Sequence, residues 1–153
     1  MTSETPVFWW QQPDWRAFLL SPFAALYGAA AENRLLKASS PQIDLPVICV
    51  GNLTVGGGGK TPTVVALFHH ALKLGLKPGI VSRGYGGHEK GPHIVDNAHD
   101  SARHVGDEPL LLSYHATVAV GKNRLASAKL LKSKGCNFII MDDGFQSARL
   151  HAD

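Results

Sequence analysis

The feature that most constrains the fold is a glycine run between an apolar segment and a predicted helix. The apolar segment is Val47–Val50, four glycines stand at residues 56–59, and Lys60, Thr61 and Pro62 follow them. Glycines let consecutive backbone N–H groups curl around phosphate oxygens, and the N-terminus of a helix adds a positive field. This order of strand, glycine-rich turn and helix therefore predicts a phosphate-binding loop.

The side chains that end this run indicate a nucleotide as the phosphate ligand. In the P-loop pattern G-x-x-x-x-G-K-[ST], the lysine reaches the β- and γ-phosphates and the hydroxyl residue ligates Mg²⁺. Lys60 and Thr61 fit these positions, whereas Thr54 stands where the pattern has its first glycine. The four glycines keep the turn flexible in spite of that departure. The alternative is a glycine-rich turn that binds nothing.

From Leu45 onward, short apolar runs alternate with helical segments, which is typical of an α/β fold with a mainly parallel sheet. We predict strands at residues 47–50, 79–82, 116–120 and 137–141, with a short strand at 93–95. Helices are predicted from Pro62 to about residue 74, from Pro109, and over residues 123–134. With 44% hydrophobic and 18% charged residues, the chain is expected to be globular. Its net charge of +3 is too small to indicate nucleic acid as a partner.

The N-terminal segment, residues 1–44, differs in composition from the α/β region predicted at residues 45–153. Seven of the twelve aromatic residues, including all three Trp, lie within the first 27 positions. Apolar residues recur at helical spacing from Trp15 to about Lys37, and Pro22 is expected to kink or divide this helix. Its longest apolar stretch is 15 residues, whereas a spanning helix needs about 20. The helix is therefore predicted to lie on a membrane surface at most.

Two pairs of adjacent acids stand where a phosphate site needs carboxylates. Asp142 and Asp143 follow an apolar run, and an acid at the end of a buried strand holds Mg²⁺ in P-loop proteins. Neighbouring side chains on a strand point to opposite faces, and we favour Asp142 for the metal; the alternative is that both acids only cap the strand. Asp107 and Glu108 stand at a predicted helix start. Asp107 is either an N-cap there, or the two carboxylates supply a general base or an acid of the Mg²⁺ shell near the transferring phosphate.

The sequence SRGYGG at residues 82–87 follows the second predicted strand. Ligands of α/β proteins gather at the carboxyl ends of the strands, so Arg83 is a candidate for binding an anionic substrate and Tyr85 for stacking on a sugar. The alternative is an ordinary glycine-rich loop.

Four histidines are spread through the segment that follows: His88, His93, His99 and His104. Their spacings of five or six residues match no zinc-ligand pattern, so we expect no zinc site among them.

Four motifs together carry a family resemblance: VGNLTVGGGGKTP at residues 50–62, SRGYGG at 82–87, GDEP at 106–109 and DDGFQ at 142–146. In this combination and order the chain resembles the tetraacyldisaccharide 4'-kinases, the lipid A 4'-kinases of Gram-negative bacteria. The resemblance implies a P-loop NTPase-like three-layer fold preceded by a hydrophobic helix. It also implies transfer of phosphate from ATP, with Mg²⁺, to the 4'-hydroxyl of an acylated glucosamine disaccharide 1-phosphate. The expected location is the cytoplasmic face of the inner membrane, with the protein monotopic and not spanning.

The resemblance also implies site roles. Asp107 helps to deprotonate the sugar hydroxyl, with Lys60 as a second catalytic residue, and Mg²⁺ is held by Thr61, Asp142 and Glu108. In the family that the chain resembles, the counterpart of Asp107 works with a histidine from a second half of the protein, so the resemblance implies that this partner lies outside residues 1–153. The residues implied to bind ATP are Thr54, Val55, Gly56, Gly57, Gly58, Gly59, Lys60 and Thr61.

Two other functions remain open from the residues. One is a nucleotide-driven switch or carrier, which has a similar loop and similar βαβ units but no small-molecule acceptor. The other is a nucleotide- and membrane-binding module without turnover. The motifs GDEP and DDGFQ are not typical of switch proteins.

Overall fold

The computed structural model describes residues 12, 15–37, 41–51, 59–142 and 150–153. In chain order, these residues form α1 Trp15–Lys37, β1 Val47–Val50, α2 Lys60–Lys73, β2 Pro78–Ser82, β3 His93–Ile94, α3 Ala102–Val105, α4 Asp107–Ser113, β4 Val118–Val120, α5 Arg124–Ser133 and β5 Phe138–Asp142.

The strands form one sheet in the order β1-β5-β2-β4-β3. All neighbouring pairs are parallel except β3 with β4, which is antiparallel at the edge. The last strand in the chain, β5, lies between β1 and β2, so that Val50 is opposite Asp142 and Val81 is opposite Met141. The predicted mainly parallel sheet is confirmed. Its order brings the carboxyl ends of β1, β5 and β2 side by side.

Helices cover both faces of the sheet, as the predicted three-layer fold requires. Because successive strand residues point to opposite faces, alternate residues of each strand enter different cores. Val64 and Phe68 of α2 pack with Leu112 of α4 on one face, together with Ile80 and Ile140 of the sheet. The opposite core contains the following residues: Ala128 and Leu131 of α5, with Val81, Ala119, Ile139 and Met141 of the sheet.

Most predicted boundaries agree with the structure to within one or two residues. Helix α2 begins at Lys60, which places Pro62 in the first turn, where a helix does not need the missing N–H. Helix α5 begins at Arg124. The residue before it, Asn123, is its N-cap, and the Asn123 side chain accepts a hydrogen bond from the Ala126 N–H at 3.1 Å. The sequence pattern does not predict the short helix α3, because four residues are too few for a helical repeat to show.

Helix α1 is continuous, so Pro22 does not divide it, and the other predicted effect, a kink, stays a prediction. Pro22 has no N–H to donate to the carbonyl four residues earlier, that of Phe18. The Ser21 hydroxyl donates to that carbonyl instead, at 2.9 Å. Every α1 side chain whose burial is described is exposed. Within the described ranges, no helix has both the length and the apolar character needed to cross a bilayer.

Candidate functional site

The carboxyl ends of β1, β5 and β2 form the floor of the candidate site. Asp142, the last residue of β5, is 1% exposed and lies in register with Val50, the last residue of β1. The Ser82 hydroxyl at the end of β2 donates to Oδ2 of Asp142 at 3.3 Å. No local pattern singles out Ser82 for this role. Only the strand order, which places β5 beside β2, shows that its hydroxyl holds this carboxylate.

Helix α2 begins at Lys60, at the end of the glycine run. Gly59 has φ = 72°, a left-handed conformation that glycine adopts without strain, and its carbonyl accepts hydrogen bonds from the N–H and hydroxyl of Thr63. The first turn contains Lys60 and Thr61 and no acid, so no carboxylate of that turn offsets the positive end of the helix. The other predicted ATP-binding residues lie outside the described residues: Thr54, Val55, Gly56, Gly57 and Gly58.

The first turns of α2 and α4 meet at one short hydrogen bond. The Thr61 hydroxyl donates to Oε1 of Glu108 at 2.6 Å, across 47 positions of sequence. Because the hydroxyl proton is directed to Glu108, the oxygen lone pairs of Thr61 are left for another ligand. Two of the three predicted Mg²⁺ ligands are therefore adjacent, and both are hard oxygen donors of the kind that Mg²⁺ prefers.

Asp107 is the first residue of α4, and its side chain is exposed. Gly106, with φ = 98°, occupies the N-cap position, so the alternative that Asp107 is the N-cap is wrong. Asp107 and Glu108 are consecutive in a helix, and their side chains leave it in different directions. Glu108 turns toward Thr61, which leaves Asp107 as the accessible carboxylate at this helix start.

The SRGYGG loop lies directly against the start of α4. A Cβ atom on Gly87 would stand 2.7 Å from the His104 carbonyl oxygen, and one on Gly106 would stand 2.6 Å from the Tyr85 carbonyl oxygen. Both separations are too short for any side chain, so the loop requires glycine at these close approaches. Arg83 and Tyr85 are exposed on the same loop. The structure thus brings the SRGYGG and GDEP motifs together through their backbones.

A cavity of about 430 Å³ opens beside this loop and is lined by Gly87, His88, Glu89, Lys90 and Lys122. Arg124, two residues further along, is buried, and its Nη1 donates to the Val81 carbonyl at 3.3 Å. Arg124 therefore links α5 to β2, whereas Lys122 is exposed at the cavity.

Two of the four dispersed histidines converge on one carboxylate, Asp100. His93 Nε2 is 2.6 Å from Oδ2 of Asp100, and His104 Nδ1 is 2.7 Å from Oδ1. The other ring nitrogen of His104 is 2.9 Å from Oε2 of Glu89. The chain turns back between β3 and α3, and this turn brings His93 and His104 to the same carboxylate. The spacing of the histidines along the sequence does not predict such a turn.

The cluster shifts the pKa values of its members. Burial raises the pKa of Asp100, but hydrogen bonds from the Asp96 N–H, His93 and His104 outweigh it and lower this pKa to about 2. The hydrogen bond to Asp100 raises the pKa of His104, burial opposes this shift, and Glu89 adds to it.

The sequence model of a family described as tetraacyldisaccharide-1-P 4'-kinase matches residues 16–153 of the chain. The chain belongs to this family. The resemblance based on the four motifs is therefore confirmed.

Individual relatives agree with this family. The tetraacyldisaccharide 4'-kinases of Brucella ovis and Brucella canis are each 62% identical to this chain over 153 residues, which is 100% of this chain and 45% of each relative. A crystal structure of LpxK from Aquifex aeolicus, described as an "apo" form in complex with ATP, is 34% identical. It superposes with a TM-score of 0.75 over 87% of this chain and 45% of that one. The chain spans about half the length of these tetraacyldisaccharide 4'-kinases.

Proposed function

We propose that the protein containing this chain is an ATP-dependent kinase of lipid A biosynthesis that phosphorylates the 4'-hydroxyl of a tetraacyldisaccharide 1-phosphate. The observation that carries the proposal is the 2.6 Å contact between Thr61 and Glu108. It joins the predicted phosphate loop to the GDEP motif, so residues proposed for the nucleotide and for the acceptor are neighbours. Membership of the family and the names of the relatives support the same activity.

ATP is proposed to bind at the start of α2, through the backbone of residues 54–59 and the side chains of Lys60 and Thr61. The crystal structure of LpxK from Aquifex aeolicus is a complex with ATP, which supports ATP as the nucleotide. Lys60 supplies positive charge where negative charge develops on the transferring phosphoryl group. The helix N-terminus acts in the same direction.

Thr61, Glu108 and Asp142 are proposed to hold Mg²⁺. Their hydroxyl and carboxylate oxygens suit a hard cation. The ion, when bound, neutralises charge on the β- and γ-phosphates. Glu108 fixes the Thr61 hydroxyl, and Ser82 fixes the Asp142 carboxylate, so that both are oriented before a ligand arrives.

Asp107 is proposed to orient the attacking 4'-hydroxyl and to accept its proton at the carboxylate. Its exposure at the start of α4 leaves it accessible to a substrate, and Glu108 next to it keeps it close to the nucleotide site. Arg83 and Tyr85 are proposed to bind the phosphorylated disaccharide, because both are exposed on the loop that packs against Gly106.

Residues 1–44 are proposed to hold the protein at the cytoplasmic face of the inner membrane. Residues 45–153 are proposed to form the P-loop kinase domain. The exposed aromatic and aliphatic side chains of α1 support the first part. Exposed apolar surface of this kind marks contact with a membrane or a partner.

The kinase proposal is tested by transfer of ³²P from ATP to the disaccharide lipid by the full-length protein. Lys60→Ala is expected to lower the rate by at least about 100-fold, since removal of one preorganised charge-stabilising group costs about that much. Lys129→Ala, an exposed lysine on α5, is the matched control and should keep the normal rate. Near-normal transfer by Lys60→Ala contradicts the P-loop assignment. ATP hydrolysis without a labelled lipid indicates the switch alternative.

The membrane proposal is tested by sedimentation with vesicles that contain anionic phospholipid. The double variant Phe18→Ala/Phe23→Ala should lose most vesicle binding, because both rings are exposed on α1. The control, Leu72→Ala/Tyr114→Ala, removes exposed apolar side chains outside α1 and should bind as before. Equal losses in the two variants contradict a specific role for α1.

A further inference from the structure

Three separate segments place nitrogen and oxygen donors together on the side of the sheet that carries β3. Asp100 precedes α3, His93 lies in β3 and His104 lies in α3. One donor atom from each of these residues lies within 4.8 Å of the other two. Glu89, from the loop after β2, lies at the other ring nitrogen of His104, with its Oε2 2.9 Å from Nε2.

The backbone holds both carboxylates in position. The Asp96 N–H donates to Oδ2 of Asp100 at 2.8 Å, and the Asp100 side chain is only 8% exposed. Oε1 of Glu89 accepts the N–H groups of Lys90 and Gly91 at 2.8 and 2.9 Å, which leaves Oε2 directed at His104. Outer hydrogen bonds of this kind orient metal ligands.

The donor chemistry differs from that of the Thr61–Glu108 region. Two imidazoles combined with carboxylates suit zinc and neighbouring transition metals, whereas Mg²⁺ prefers an all-oxygen environment. Two histidines and one acid supply the three protein ligands of an open zinc site, in which a water takes the fourth position.

We propose that His93, Asp100 and His104 form a binding site for one zinc-type divalent ion, with Glu89 as the outer partner that orients His104. Its ligands differ from the residues proposed for Mg²⁺. The ion replaces the present hydrogen bonds of His93 and His104 with Asp100, while Nε2 of His104 keeps its contact with Glu89. It connects the SRGYGG-containing loop, the edge strand β3 and α3, which leads directly into Gly106 and Asp107. This site does not depend on the proposed kinase function.

The test is titration of the full-length, chelator-treated protein with Co²⁺, followed by competition with Zn²⁺. The expected result is one Co²⁺ per chain, with visible bands of tetrahedral coordination that Zn²⁺ abolishes and Mg²⁺ does not. His93→Ala should weaken binding by at least about 100-fold. The control, His99→Ala, removes an exposed histidine of the same segment that pairs with Asp96, and should leave binding unchanged.

X-ray absorption of the zinc-loaded wild-type protein keeps the test decisive if His93→Ala does not fold. Two imidazole ligands and oxygen donors support the site. Zn²⁺ affinity that is equal in the wild type and in a folded His93→Ala variant overturns it, as does an absorption spectrum without imidazole. In either case the cluster is a hydrogen-bonded network only.

Discussion

Helix α1 and helix α5 both carry apolar residues at helical spacing, yet their leucines have opposite environments. Leu131 of α5 is 0% exposed because it packs against the sheet, whereas Leu26 of α1 is 71% exposed. The two side chains are identical, so the difference comes only from what faces them. An apolar stripe therefore predicts a helix, and a neighbouring surface decides whether that stripe is buried.

The same comparison has an energetic side. Full burial of a leucine contributes about 1.5–3 kcal/mol, and most helical stability in proteins comes from such packing. Helix α5 gains this contribution from the core that contains Ala128 and Leu131. The described side chains of α1 gain little of it within the chain. A membrane surface, as proposed above, would supply the missing apolar contact.

The largest expected effect comes from truncating one leucine in each helix. Leu131→Ala should lower the free energy of unfolding by about 2–5 kcal/mol, because it leaves a cavity in a closed core. Leu26→Ala should change it by less than about 0.5 kcal/mol in solution. Denaturant unfolding of the two variants measures both values. Equal losses of unfolding free energy in the two variants would show that α1 is packed in solution, which contradicts the difference between α1 and α5.

A second pair of variants adds a methyl group at one glycine of the packed SRGYGG loop and at one glycine of the exposed helix α1. Gly87→Ala should destabilise by about 1–3 kcal/mol, because its Cβ meets the His104 carbonyl at 2.7 Å. Gly28→Ala in α1 meets nothing within 4 Å and should favour the helix by about 1 kcal/mol. Thermal unfolding and far-ultraviolet circular dichroism test the pair. Tolerance of alanine at residue 87 would contradict the close packing of the SRGYGG loop.

The smallest expected effect is a dependence of the unfolding free energy on pH, which arises from Asp100 and His104 beside the sheet. The pKa of Asp100 is lowered from 3.8 to about 2, so its stabilisation is present above pH 3.8 and is lost as the pH falls toward 2. The pKa of His104 is raised above 6.5, so its stabilisation is present below pH 6.5 and is lost as the pH rises through the raised value. Together they stabilise most between pH 3.8 and 6.5.

Asp100→Asn tests this dependence by denaturant unfolding at several pH values in the presence of a chelator. The difference in unfolding free energy from wild type should be largest between pH 3.8 and 6.5. This difference should shrink by about 1 kcal/mol as the pH falls from 3.8 toward 2, a value that allows for solvent screening. A difference that does not vary with pH would mean that Asp100 acts only through packing.

The spacing of apolar residues along the sequence is sufficient to predict most of the helices and strands. The strand Val47–Val50 and the helix Trp15–Lys37 agree with the structure, because apolar spacing reports the local backbone period. Helix α3 escapes prediction because four residues carry no period. Pro22 does not divide α1, because a hydroxyl on the neighbouring Ser21 satisfies the carbonyl that proline leaves without a donor.

For the candidate site, the sequence predicts which side chains have the right chemistry but not which ones meet. Lys60, Thr61, Glu108 and Asp142 can be selected because their residue types and local motifs are informative. Their roles stay predictions. That Thr61 contacts Glu108, and that Ser82 contacts Asp142, depends on helices and strands far apart in the chain.

The sequence by itself determined the family, the order of elements and the glycine-rich start of α2, since each of these is encoded in consecutive residues. The tertiary structure alone decided that β5 lies between β1 and β2, and that Glu89, His93, Asp100 and His104 converge. The physical reason is that spacing along the chain reports only short-range geometry. Strand order and chain reversal are set by packing between distant segments, and these contacts decide which functional groups share a site.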